Sequence, residues 1–277
     1  MRLSLAGWSL HKLFQRSRYP LKLVHFPVFT KEELGLDAIE LNSPFFESRE
    51  PDYLKRLVAA GQRAGVKLLN IAVDEDGDLA SEDQEECERG IENYGRWVPV
   101  ARELGCTAIR ANSGGKQVTD HAKAVAACID SFRKLCDRGK ADGITILMEN
   151  HGGISSDADT IVKIMEAVRE THGADAIGTL PDFGNWPEGV DRFESLNKIM
   201  PFAKAVHAKV SDMDERLRHP KVSDMDERLR HPKFDLDRCV AIVKESGYDG
   251  YLGIEFEGRG EPVEGVRRAI RKLTPLL

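Results

Sequence analysis

Several features that define whole classes of protein are scarce or missing in this sequence. Cysteine is rare and odd in number: Cys87, Cys106, Cys128, Cys136 and Cys239 are widely spaced and fall mostly on apolar positions of expected helices or strands. That pattern argues for reduced, buried thiols and against a disulfide framework or a zinc knuckle. No run approaches the roughly 20 apolar residues of a membrane span, and the opening MRLSLAGWSLHK reaches Trp, Ser and His before a signal-peptide core could form. Neither GxGxxG nor a Walker motif occurs, so no phosphate-cradling glycine turn is expected. An excess of positive charge is also missing. Forty Lys plus Arg stand against 46 Asp plus Glu, for a net charge of −6, and the basic residues are scattered rather than gathered into a stripe. Membrane and duplex nucleic acid are therefore excluded as default partners, and a cytoplasmic location is expected.

What is present fits one packed α/β domain over residues 1–277, with 41% hydrophobic and 31% charged residues. Eight β-rich runs recur: LSLAGWSL from Leu3, LDAIELN from Leu36, VKLLNIAV from Val66, CTAIRANS from Cys106, TILMEN from Thr145, IGTLPDF from Ile177, AKAVHAKV from Ala203 and YLGIEFEG from Tyr251. Most are continuous apolar stretches, the pattern of strands covered on both faces in a parallel sheet. Between most of them lie single apolar stripes at helical spacing, such as Ile161, Ile164, Met165 and Val168, or Val266, Ile270 and Leu273. The first connection has the weakest helical pattern. Ser81 with Gln84 is placed to form a capping box, Gly65, Gly105 and Gly247 to end helices, and Pro99 to kink or break the third helix. Eight strand and helix units in ~250 residues predict a (β/α)₈ TIM barrel, whose function gathers at the C-terminal ends of its strands.

The twelve residues KVSDMDERLRHP run from Lys209 to Pro220 and again, identically, from Lys221 to Pro232, with Lys233 beginning a third copy. Two copies do not make a solenoid. The segment 209–233 is expected to be a tandem duplication that lengthens the loop after strand seven. Its His219 repeats the setting of His207, but Pro220 argues against a second, slipped strand there, and His231 belongs to the same repeat.

At the ends of expected strands five to eight stand Glu149 in LMENHGG, Asp182 in TLPDFGNWP, His207 in AVHAKVSD and Glu255 in GIEFEG. Three carboxylates and one imidazole converging on a barrel axis form an oxygen-rich site for one divalent cation. Mn²⁺ matches best, with Mg²⁺, Co²⁺ and Zn²⁺ as alternatives.

With these motifs, and with LSLAGWSLH, GCTAIRANSGG and GYDGYLGIEFEG, the chain resembles the xylose-isomerase-like barrels, a family of sugar isomerases, epimerases and dehydratases. The resemblance covers essentially the whole chain. It implies that Glu149 and Glu255 are an acid/base pair exchanging protons with a carbon beside a carbonyl. It also implies that Asp182 and His207 complete the metal site, and that the protein is a homodimer or homotetramer acting on a small sugar. A metal-dependent lyase or dehydratase of keto-glycosides or keto-inositols, sharing the same proton abstraction, is the alternative. Phosphoester hydrolysis is disfavoured, because strands three and four offer Asn70 and Arg110 where such barrels carry further His ligands. Ketose 3-epimerases usually have His and Arg, both contacting substrate, near the positions of Asn185 and Lys209; Asn185 is expected to contact substrate in its turn, but the identity of the sugar does not carry over.

Lys209, two residues past His207, should face the same interior and polarise a carbonyl or hold an anionic group. His151 follows Glu149 by two and is a second substrate candidate. Arg110 and Asn112 alternate at the end of strand four, where they either bind sugar hydroxyls or orient Glu149. Glu40 and Asn70 are candidates to support the ligands from behind. Trp8, with His11, Phe45, Phe46 and Trp186, is placed to wall a cleft, or else to pack in the core.

Overall fold

The computed structural model describes residues 1–75, 77–211 and 233–277. Among them are eight strands, one in each run anticipated above: β1 Arg2–Ala6, β2 Ala38–Asn42, β3 Lys67–Ala72, β4 Ala108–Ala111, β5 Thr145–Glu149, β6 Ile177–Leu180, β7 Val206–Val210 and β8 Tyr251–Phe256. They pair in parallel in the order β6-β5-β4-β3-β2-β1-β8-β7. The ring is closed between β6 and β7 by parallel bridges at Thr179–Ala203 and Asp182–His207. Three main-chain bonds hold this seam: Lys204 N–H to Thr179 O, His207 N–H to Pro181 O and Phe183 N–H to His207 O. The result is the (β/α)₈ barrel that the apolar runs require, since strands buried on both faces need helices outside and side chains within.

Ten α-helices occupy the described connections: α1 His11–Phe14, α2 Phe26–Phe29, α3 Pro51–Ala64, α4 Gln84–Gly95, α5 Val98–Leu104, α6 His121–Asp142, α7 Ala158–His172, α8 Arg192–Ile199, α9 Leu236–Glu245 and α10 Pro262–Leu273. The first connection breaks into short turns of 3₁₀, α and π type, as its weak periodicity foretold. The expected break at Pro99 also occurs. The chain leaves α4 at Gly95, and Pro99 falls in the first turn of α5, where its missing N–H costs nothing. Gly65 and Gly105 end α3 and α5 in left-handed conformation, and Gly247 adopts it just past α9. The Ser81–Gln84 capping box does not form. Helix α4 begins at Gln84, so Asp83 is its cap and accepts from Glu85 N–H, while Ser81 Oγ accepts from Asp83 N–H one step earlier. Of the tandem repeat, residues 212–232, with His219 and His231, lie outside the described residues.

Two layers of core follow from strand alternation. Outward residues such as Ile39, Ile71, Ile109, Ile146 and Ile177 are fully buried, as are the helix residues Leu57, Phe132, Ile161, Val243 and Val266. Burial of each large side chain there contributes roughly 1.5–3 kcal/mol. Ala108, Leu147 and Leu180, with Ala205 against them, form a separate small cluster. Two residues further along these four segments come Arg110, Glu149, Asp182 and His207. The same inward face thus changes from an apolar plug to a polar site in one step of the pleat.

Candidate metal centre

Glu149, Asp182, His207 and Glu255 each offer one ligand atom, and these four atoms lie within 4.8 Å of one another. All four residues are buried, at 6% exposure or less. Their placement is a matter of register. Glu149 ends β5, Asp182 follows β6 at the barrel seam opposite His207, and Lys209 of β7 pairs with Glu255 of β8.

Each of the four is held on one side, and three of them leave an atom open. Arg110 Nε stands 3.1 Å from Glu149 Oε2, and Asn185 Nδ2 donates to Oε1 at 3.0 Å. Oε1 is also the atom facing His207 Nδ1, 3.6 Å away. Asp182 Oδ1 accepts from the N–H groups of Gly184 and Asn185, leaving Oδ2 without a hydrogen bond. His207 Nε2 is 3.0 Å from Glu40 Oε2, which leaves Nδ1 without a partner. Glu255 Oε2 also has no hydrogen bond, though Lys209 Nζ lies against it at 2.5 Å. Buried polar atoms are normally satisfied, so three orphans converging with a fourth oxygen mark a place prepared for a cation. The donor set of three carboxylate oxygens and one imidazole nitrogen suits a hard to borderline divalent ion. The residues present therefore fit a metal.

The electrostatics agree. Burial opposes the charge on Glu149, but Arg110 and His207 override it and hold its pKa well below the usual carboxylate range. Burial pushes Asp182 the other way, only partly offset by Lys209 and reinforced by the negative charges of Glu255 and Glu149. Burial also disfavours charge on His207, yet Glu40, Glu255 and Glu149 raise its pKa well above 6.5. Burial lowers and the surrounding carboxylates, led by Asp182 and Glu255, raise Lys209, with a net increase. Without an added cation, the cluster borrows positive charge from its own His and Lys.

The remaining anticipated residues are placed in different ways. Arg110 is 3% exposed and spends its guanidinium on Val73 O, Asp74 Oδ1, Asn112 Oδ1 and Glu149. Arg110 and Asn185 therefore bracket Glu149, and Asn112 holds Arg110 in place. Lys209 reaches the cluster and also approaches Glu257 at 3.4 Å. His151 is exposed in the loop after β5, its N–H donating to Ser155 Oγ. Trp8 is half-buried after β1 and stacks on His11 at 5.1 Å and Phe45 at 5.8 Å, a ledge of rings beside the C-terminal mouth. Trp186 is buried. Glu40 and Asn70 are joined by a bond of 2.9 Å behind His207.

Sequence reasoning passed over Asn150, Asp74 and Ser4. Asn150 is fully buried and bonds the Asp182 main chain in both directions, donating to its O and accepting from its N–H. Asn150 directly follows Glu149, so its side chain points to the opposite face, and a polar residue there signals a bond to the next strand. Asp74 and Ser4 carry no such local sign, because their partners Arg110 and Glu40 lie 36 positions away in each case.

The family model for xylose isomerase-like TIM barrels matches residues 31–276. No curated protein matches the sequence. Among solved structures, a D-tagatose 3-epimerase-like protein is similar at 15% identity and TM-score 0.75, over 100% of this chain and 98% of that one. The 3-keto-D-glucoside 4-epimerase of E. coli is similar at 14% identity and TM-score 0.73, over 99% of each chain. A protein of Bacillus anthracis assigned as a 3-DHS dehydratase of petrobactin synthesis is similar at 15% identity and TM-score 0.72, again over 99% of each. At these identities the likeness establishes the fold.

Proposed function

The chain belongs to the xylose isomerase-like TIM barrel family, and from that premise we propose that it is a divalent-metal-dependent sugar isomerase or epimerase with Mn²⁺ as its ion. The observation that carries this reading is the convergence of one donor atom from each of four buried side chains, three of them left without a hydrogen bond. Glu149, Asp182, His207 and Glu255 would hold the ion. When bound there, a divalent ion supplies Lewis-acid polarisation of a substrate carbonyl.

The proton chemistry falls to Glu149 and Glu255. Glu149 is held ionised by Arg110 and is the better placed to accept a proton from the carbon next to the carbonyl. Glu255 takes a proton from the Lys209 ammonium that lies against its Oε2 and delivers it to the other face, which inverts the carbon, while Glu149 releases the proton it took to solvent and Lys209 regains one from solvent. Lys209, His151 and Trp8 are assigned to substrate contact: Lys209 at a carbonyl or hydroxyl oxygen, His151 at the rim, Trp8 as an apolar wall. Arg110, Asn112 and Asn185 serve the reaction by fixing Glu149.

A lyase or dehydratase, in which the same abstraction expels a β-substituent, is the second reading. It is favoured by the likeness to a dehydratase over 99% of both chains. One experiment tests both. The Mn²⁺-reconstituted protein is incubated in D₂O with a panel of keto sugars, keto-glycosides and keto-inositols and followed by NMR. Deuterium entering the carbon beside the carbonyl, with an inverted or shifted product, supports the isomerase. Exchange with loss of water or of a glycosidic group supports the lyase. A metal-loaded protein that exchanges no carbon-bound proton in the panel overturns both.

A further inference from the structure

Glu40 is an acidic residue buried inside the barrel, 3% exposed, on a strand that supplies none of the four clustered residues. An isolated buried carboxylate is costly, and this one is fully engaged. Ser4 Oγ donates to Oε1 at 2.8 Å, Asn70 Nδ2 donates to Oε2 at 2.9 Å, and His207 Nε2 lies 3.0 Å from the same Oε2. An ionised carboxylate only accepts, so the bond to His207 requires the imidazole proton on Nε2.

The space for this carboxylate is made by a missing side chain. Gly253 of β8 is in register with Ser4 of β1 on one side and His207 of β7 on the other. A Cβ built on Gly253 would stand 2.2 Å from Glu40 Oε1 and 3.0 Å from His207 Cδ2. Its φ is not in the left-handed region, so the glycine is needed for the close approach and not for its backbone.

We infer that Glu40, seated in the gap left by Gly253, is a positioning residue that fixes the His207 ring so that the metal is bound through Nδ1. The inference rests on the metal-site reading above. A carboxylate behind a ligating imidazole fixes its tautomer and orientation and makes it a stronger donor. Here the arrangement spans the barrel: β2 supplies the carboxylate, β1 and β3 steady it, β8 makes room, and β7 presents the ring.

A cavity of about 990 Å³ at the N-terminal mouth, bounded by strand starts such as Lys67, Thr145 and Tyr251, has Glu40 and Asn70 in its lining. A small carboxylate can therefore reach the gap that a truncated Glu40 would leave without passing through the metal site.

The test is direct Mn²⁺ binding, read from the free-ion signal by electron paramagnetic resonance, with circular dichroism as the fold control. Glu40→Ala loses both the acceptor and the charge and is expected to weaken Mn²⁺ binding about 100-fold, while Glu40→Gln keeps an acceptor for Nε2–H and loses about tenfold. Formate should restore much of the Glu40→Ala loss and leave wild type unchanged. Gly253→Ala should weaken Mn²⁺ as Glu40→Gln does, by displacing the same carboxylate. If the Glu40 variants do not fold, Asn70→Ala, which removes one donor and keeps the charge, should still weaken binding about threefold. Glu40→Ala binding within threefold of wild type overturns the inference. So does an equal loss in Glu40→Ala and Glu40→Gln that formate does not touch, or an unchanged affinity in a folded Asn70→Ala. Wild type that binds no Mn²⁺ overturns the metal site itself, an outcome separate from these.

Discussion

The two halves of the barrel hold polar residues for opposite purposes. Strands β5 to β8 and the residues just after them present Glu149, Asp182, His207 and Glu255, and three of the four leave a buried atom without a hydrogen bond. Strands β1 to β4 present Ser4, Glu40, Asn70 and Arg110, which bond to one another or to nearby residues and reach the first group at two points, Glu40 at His207 and Arg110 at Glu149. One half is left incomplete and the other is spent completing its geometry. The difference teaches that burial of charge alone does not identify a site. Arg110 and Glu40 are as deeply buried as the candidate ligands, and what distinguishes the latter is the convergence of their donor atoms within 4.8 Å of one another.

The comparison breaks most severely if the ligand half is emptied. Glu149→Ala and Glu255→Ala should each abolish metal retention, read by inductively coupled plasma mass spectrometry. They should cut solvent deuterium exchange by about 10³-fold or more, since a ligand and a proton-transfer group are lost together. Retained metal in both variants would remove these residues from the centre.

Cutting a support should damage the fold as well as the site. Arg110→Met leaves Glu149 buried with its main counter-charge gone, and loss of one partner from a buried pair costs about 3–5 kcal/mol. Differential scanning calorimetry should show a Tm lower by roughly 10 °C for a chain of this size. Unlike Glu149→Ala, the variant should keep measurable metal. A Tm within about 2 °C of wild type would mean that Arg110 supports nothing.

The two halves also differ in how far the sequence disclosed them. All eight strands were legible because a parallel strand is a short apolar run bounded by polar residues. The four residues of the candidate metal cluster were legible as polar residues within or just past the C-terminal parts of such runs. Glu40 and Asn70 were visible as oddities, buried polar residues in apolar strands, but not their joint purpose. Their bonds to Ser4 and His207 depend on register across β1, β2, β3, β7 and β8, and on the absence of a side chain at Gly253. Register between distant segments leaves no local mark. The α4 cap was misplaced for the opposite reason: Ser81 and Asp83 are both good capping residues, and only the observed helix start chooses between them.

A change of pH sharpens the contrast without mutation. In the metal-free protein the pKa values of Asp182 and His207 are both raised above their unfolded values. A group with a raised folded pKa contributes stability that is complete below its unfolded pKa and lost as pH rises through the folded one. For Asp182 that window opens just above the normal carboxylate range, and for His207 it opens above about pH 6.5. The chelator-treated protein should therefore lose roughly 5 °C of Tm between pH 6 and pH 9, and a bound metal, by replacing those protons, should flatten the slope. A metal-free Tm that rises over this range would contradict the assignment.

The smallest expected effect concerns the one residue that belongs to neither half. Lys209 stands on β7 among the ligands, yet its ammonium lies against Glu255 Oε2, 3.8 Å from Asp182 Oδ2 and 3.4 Å from Glu257. In the metal-free protein it supplies, with His207, the positive charge of the candidate ligand cluster, as Arg110 does for the supports. The two differ in what they hold. Arg110 grips Glu149 by Oε2 and leaves Oε1 facing His207, whereas Lys209 lies on Glu255 Oε2, an atom left without a hydrogen bond among the orphans. A cation on an open atom competes with the metal, and a cation on a committed atom assists it. Lys209→Met should therefore tighten Mn²⁺ binding by about three- to tenfold, because only the metal-free state loses a favourable charge. The same variant should lower the Tm of the metal-free protein and leave that of the loaded protein nearly unchanged. Weaker Mn²⁺ binding in Lys209→Met would place Lys209 with Arg110, as a support for Glu255, and would extend the supporting half of the barrel to β7.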